Sequence, residues 1–116
     1  MMNQTSASEG SYKNMRLMVI FDMPVKSDAE KREYRKFRDY IMDDGFMMLQ
    51  YSVYTRFCPN DSDAGKHIDR ILKKKPKYGN VRIIKVTENQ YASMIMVVGE
   101  QSEQEQVIST EQLVVL

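Results

Sequence analysis

Cysteine is nearly absent from this sequence: Cys58 is the only one, and His67 is the only histidine. A lone thiol cannot close an internal disulfide, and without a second thiol or a metal-binding pair beside it, dithiol redox and zinc-thiolate chemistry are excluded. A reducing, cytoplasmic setting is expected. No apolar run approaches the length that crosses a bilayer. The leader Met1 to Asn14 is polar and lacks the apolar stretch of a secretory signal, so the chain is expected to stay where it is made. Internal repeats are missing too, and beyond Gly99 there is no lysine or arginine.

What is present suits one domain. At 116 residues the chain can bury one hydrophobic core and not two. A hydrophobic content of 42% with 28% charged residues excludes a disordered or fibrous body. The net charge is only +1, but it is unevenly placed. Residues 16–99 hold 16 of the 17 Lys and Arg and 11 of the 16 Asp and Glu, a surplus of five positive charges. From Glu100 onward come four glutamates and no base. A basic body points toward an anionic partner.

Arg16 to Asp22 is a nearly continuous apolar run ended by Met23-Pro24, which predicts a central strand covered on both faces. Ser27-Asp28-Ala29-Glu30 can form a capping box, so a helix starts there. Tyr34, Phe37 and Ile41 give it an apolar stripe, and Gly45 stops it. Phe46 to Phe57 has strand composition, but its pattern leaves open one long strand or two short ones turning at Gln50-Tyr51. Asn60 to Lys75 predicts a second helix with Ala64, Ile68, Ile71 and Leu72 inward, ended by Pro76 and Gly79. Asn80 to Thr87 and Tyr91 to Val98 read as a hairpin about Glu88-Asn89-Gln90. If Phe46 to Phe57 is split, the order is the α+β, ferredoxin-like β-α-β-β-α-β pattern with one strand to spare. The expected layout is a flexible leader over 1–14, a domain over 15–99, and an acidic linker with an apolar end over 100–116.

The strand Met15-Arg16-Leu17-Met18-Val19-Ile20-Phe21-Asp22 with Met23-Pro24, the Gly45-Phe46 step and Gln50-Tyr51-Ser52-Val53-Tyr54 together resemble the CRISPR-associated protein 2 family. The resemblance runs from about Met15 to Gly99, and the first helix and Lys73 to Tyr78 are similar to versions from type II systems. It implies a ferredoxin-like homodimer in which Tyr91 to Val98 pairs across the dimer. It also implies Mg²⁺ shared by Asp22 of two protomers, and an activity assigned as metal-dependent endonuclease on RNA or DNA. A role as the bridge between two integrase dimers of CRISPR-associated protein 1 in spacer acquisition is implied as well. The leader and the Glu-rich tail are not hallmarks of that family.

Asp22 is the candidate metal ligand, because a carboxylate at the end of a buried strand is costly unless paired, hydrated or bound to a cation. In a two-fold dimer it would meet its own copy. The plainer reading is a turn-initiating Asp before Pro24. Lys73, Lys74, Lys75 and Lys77, with Arg16, Arg56 and Arg82 at strand positions, are candidate phosphate contacts that read shape and not bases. The lysines also suit the helix dipole. His67 is expected to be solvated or structural, and Cys58, Tyr34, Phe37 and the methionines to be filling. Leu113, Val114, Val115 and Leu116 are expected to dock on a partner's sheet edge.

The leading expectation is a non-catalytic, homodimeric scaffold in CRISPR adaptation that holds double-stranded DNA, with single-stranded ends allowed, and presents it to integrase subunits. The competing one makes Asp22 the Mg²⁺ ligand of a phosphodiesterase, although one Asp per chain is thin equipment for that chemistry. A third, a ferredoxin-like metabolite-binding module, leaves the lysine cluster unexplained.

Overall fold

The computed structural model describes residues 13–99. Strand β1 (Met15–Asp22) alternates: Met15, Leu17, Val19 and Phe21 turn to one face and are buried. Helix α1 (Asp28–Asp43) starts as expected, with Ser27 Oγ accepting from the Glu30 N–H at 3.1 Å and Glu30 Oε1 accepting from the Ser27 N–H at 2.9 Å. Its end is a Schellman motif. Gly45, at φ +91°, donates to the Met42 carbonyl, and Phe46 donates to the Ile41 carbonyl, which drives Phe46 and Ile41 together into the core.

The segment after Gly45 folds back as β2 (Met47–Gln50) and β3 (Val53–Cys58), so the two-strand option holds. Ser52 takes φ +62° at the turn, and its carbonyl accepts from the Phe21 N–H at 3.0 Å. Helix α2 (Asp61–Lys73) is capped by the Asn60 side chain, which accepts from the Asp63 N–H. It buries Ala64, His67 and Ile71. Leu72, expected inward, is 56% exposed. It lies one position beyond Ile71, about 100° around the helix, and so leaves the buried stripe.

β4 (Asn80–Thr87) completes a four-stranded antiparallel sheet in the order β2-β3-β1-β4. Each β-α-β connection skips one strand, which makes the fold ferredoxin-like α+β. Both helices pack on one face, over Leu17, Val19, Phe21, Phe37, Ile41, Tyr54 and Ile71. The expectation that β1 is covered on both faces is therefore corrected. Met18 and Ile20 point the other way and are only half-buried, beside their register partners Ile84 on β4 and Val53 on β3.

The predicted hairpin does not form either. Thr87 and Gln90 make a second capping box and start α3 (Glu88–Ala92), so Glu88-Asn89-Gln90 is a first helical turn. The apolar run that follows has no strand partner within the described residues, and Ile95 is 83% exposed. The leader up to residue 12, the acidic linker and Leu113 to Leu116 lie outside the described residues.

Candidate nucleic-acid interface and carboxylate site

Asp22 ends β1 opposite Asn80. The strand end is held against the next turn: a Cβ at Gly79 (φ +88°) would come within 2.5 Å of the Asp22 carbonyl oxygen, so only glycine fits there. The Asp22 side chain itself is exposed, and its carboxylate has no partner among the described residues. The buried-charge cost expected from the sequence is thus not incurred. Ile20 faces Arg82 in the β1–β4 register, so Asp22 and Arg82 are diagonal neighbours on the open face of the sheet. Arg82 is exposed and is, among the described residues, the one strand arginine free for an anion.

Arg16 is not. It is 5% exposed, with Nε donating to Glu88 Oε1 at 2.8 Å and Nη2 to Glu88 Oε2 at 2.6 Å. Its guanidinium lies 4.4 Å from the centre of the Tyr91 ring and 5.7 Å from that of Phe57. A phosphate would have to displace Glu88, so the expectation of a phosphate contact here is corrected.

Arg56 is also committed inward. Its Nε donates to His67 Nε2 at 3.0 Å, which makes that nitrogen the unprotonated one. His67 Nδ1 therefore donates to Asp44 Oδ2 at 2.7 Å, and Arg70 donates to Asp44 Oδ1 at 2.8 Å. His67 is 3% exposed and structural, a fastening between β3, α2 and the end of α1. Cys58, at the end of β3, is fully buried, and burial, aided by Asp63, pushes its thiol up to about 11.

The lysine cluster is the site that the fold assembles most fully. Lys73, Lys74, Lys75, Pro76 and Lys77 close over α1, where Glu33, Lys36, Phe37 and Tyr40 complete a groove of about 260 Å³. Lys74 Nζ stands 5.7 Å from the centre of the Tyr40 ring, and the Tyr40 hydroxyl donates to the Arg70 carbonyl at 3.3 Å. Lys36 and Tyr40 escape a sequence reading because they come from a different helix. Their only advance signal is a polar face on α1 that is rich in base.

The family model for CRISPR associated protein Cas2 matches residues 15–94. The chain belongs to the Cas2 family. A Cas2 protein of Acidovorax ebreus is 42% identical over 99 residues, covering 85% of this chain and 97% of the relative. One from Lacticaseibacillus rhamnosus is 47% identical over 85 residues, covering 73% and 84%. Both relatives are named CRISPR-associated endoribonucleases. A crystal structure of a Cas2 superposes with a TM-score of 0.53 over 78% of this chain and 92% of the other; at 15% identity that supports the shared fold.

The Cas2 assignment raises the question of a metal. Among the described residues no three His, Cys, Asp or Glu side chains gather as a cation site. One chain offers Asp22 alone, and a single carboxylate does not make a resident site for a hard divalent cation that wants six oxygens. Any such site has to be completed from outside the chain.

Proposed function

We infer that this Cas2 family member is a CRISPR-system endoribonuclease that works as a homodimer, with Asp22 of the two copies as its central acidic pair. The observation that carries this reading is the position of Asp22: an exposed carboxylate at the end of the central strand, unpaired among the described residues, next to Arg82 on a sheet face that among the described residues only α3 covers, at its Arg16 end. The names of the relatives favour the same chemistry. A second copy laid on that face would bury Met18, Ile20 and Ile84, and the exposed Met94 to Val98 is suited to adding to its sheet edge.

Asp22 of two facing copies would hold Mg²⁺ through carboxylate oxygens, and the chemistry the ion would supply there is polarisation of a phosphodiester. Arg82 is placed to hold a phosphate oxygen beside them. RNA incubated with the purified protein tests this: cleavage with Mg²⁺ that stops on chelation supports it, and cleavage unaffected by chelation rules out the metal-bearing pair.

The groove favours a second reading. Its lysines are contributed by the helix layer and not by the Asp22 face, and among the described residues Asp22 belongs to no cluster of three His, Cys, Asp or Glu side chains. On this reading the dimer holds duplex DNA by its backbone and bridges integrase subunits during spacer acquisition. Spacer acquisition in cells separates the two: the scaffold reading expects Asp22→Ala to acquire normally and charge removal at Lys73, Lys74, Lys75 and Lys77 to fail.

A further inference from the structure

The groove between α1 and the end of α2 holds more positive charge than its surroundings neutralise. Lys36, Lys73, Lys74, Lys75 and Lys77 border it, and none of their ammonium groups has a carboxylate partner among the described residues. Glu33, the one acid of the rim, accepts from the backbone N–H of Lys77 at 3.5 Å. Some cations elsewhere in the fold have a carboxylate partner: Arg16 with Glu88, Arg70 with Asp44, Lys85 with Asp61. Clustered like charges repel one another and favour an anion that carries several charges.

The chain itself supplies such an anion. Glu100, Glu103, Glu105 and Glu111 lie in a stretch that contains no lysine or arginine. Extended, residues 100–112 span up to ~45 Å, longer than two of the molecule's dimensions, 36 and 22 Å, and shorter than the third, 53 Å. A segment tethered to its own target is present at millimolar effective concentration. The net charge of +1 thus conceals two opposite charges that one chain can bring together.

We propose that the acidic stretch 100–112 seats on the lysine groove of its own chain and competes there with nucleic-acid phosphates. Nucleic acid then binds only to the fraction of molecules whose groove is open, and its apparent affinity falls by that fraction. The proposal stands on the unpaired charge of the groove and is separate from phosphodiester chemistry at Asp22.

A zero-length carbodiimide, which joins a carboxylate to an amine only in direct contact, tests it on the full chain. Amide links from Glu100, Glu103, Glu105 or Glu111 to the groove lysines are expected in the monomer-sized band. They should vanish at ~1 M salt, where charges are screened beyond about 3 Å, and on adding a short DNA duplex. Links found only in the dimer-sized band would assign the groove to another copy's tail and overturn the proposal. Links spread evenly over Lys26, Lys31 and Lys66 would overturn it too.

A variant with those four glutamates changed to Gln is expected to bind duplex about fivefold to tenfold more tightly at low salt. That gain should disappear when Lys73, Lys74, Lys75 and Lys77 are also changed to Gln. An equal gain in both backgrounds means bulk repulsion alone, and no gain means the groove is not covered; either result sinks the idea.

Discussion

The Arg16 guanidinium is held by the Glu88 carboxylate through two parallel hydrogen bonds of 2.8 and 2.6 Å, across 72 residues of sequence. This pair joins the first residues of β1 to α3, and it fixes what each partner can do.

Glu88→Gln is expected to destabilise the protein by about 2 kcal/mol, because it leaves the buried Arg16 charge without its counter-ion while Glu88 itself is partly exposed. Thermal unfolding should shift down by roughly 8–16 °C. Arg16→Met, which removes the buried charge, should cost less. A Glu88→Gln midpoint equal to wild type would show that the pair holds nothing.

His67→Leu keeps the volume of the ring but removes the link between Arg56 and Asp44, leaving Arg56 Nε without its acceptor and Asp44 with Arg70 alone. Denaturant unfolding is expected to show a loss of about 3 kcal/mol, and RNA cleavage by the folded fraction should be unchanged. A stable but inactive His67→Leu protein would place the histidine in the chemistry instead.

The capping box of α1 carries a pH dependence. Hydrogen bonds from the Ser27 backbone, opposed by a smaller desolvation, lower the Glu30 carboxyl from its ordinary 4.5. A lowered acid stabilises the fold above its unfolded value, and that contribution is lost as pH falls through the folded value. Ser27→Ala, which typically costs about 1 kcal/mol, and Glu30→Gln should therefore differ: only Glu30→Gln flattens the stability profile below pH 4.5. Circular dichroism during urea unfolding at stepped pH checks it.

Cys58 should be nearly inert. With its thiol raised to about 11, it stays protonated near neutrality, and its burial blocks reagents. A thiol-specific dye at pH 8 is expected to react slowly with the native protein and fully after denaturation. The raised value also means that stability falls as pH climbs from the ordinary 9.0 toward 11. Rapid labelling of the native protein would contradict the packing of β3 on α2.

What could be read in the sequence was what is local. Ser27 and Glu30, Gly45 and Phe46, and the β1 run ending at Asp22 announce their structures because each signal spans a few residues. Thr87 and Gln90 follow the same capping rule as Ser27 and Glu30, but the apolar run Tyr91 to Val98 gives the segment a strand's composition, and the helix is hidden behind it. The β2–β3 turn is hidden because Ser52 adopts φ +62° without a glycine to mark it. The roles of the arginines depend on distant partners: Glu88 takes Arg16 out of any interface and His67 takes Arg56, while Arg82 is exposed and has no partner among the described residues. The lysine run was visible, but not Lys36 and Tyr40, which make a groove of it.

Asp22 separates the nuclease from the scaffold, and cleavage and binding of RNA measured together for Asp22→Ala decide between them. Asp22 is exposed and unpaired, so the variant should fold as wild type does. The expected result is RNA binding within about twofold of wild type and turnover lowered by at least ~100-fold, the pattern of a group needed only for the chemical step. Turnover equal to wild type would contradict the phosphodiesterase and leave the lysine groove, with its scaffold role, as the function of the fold.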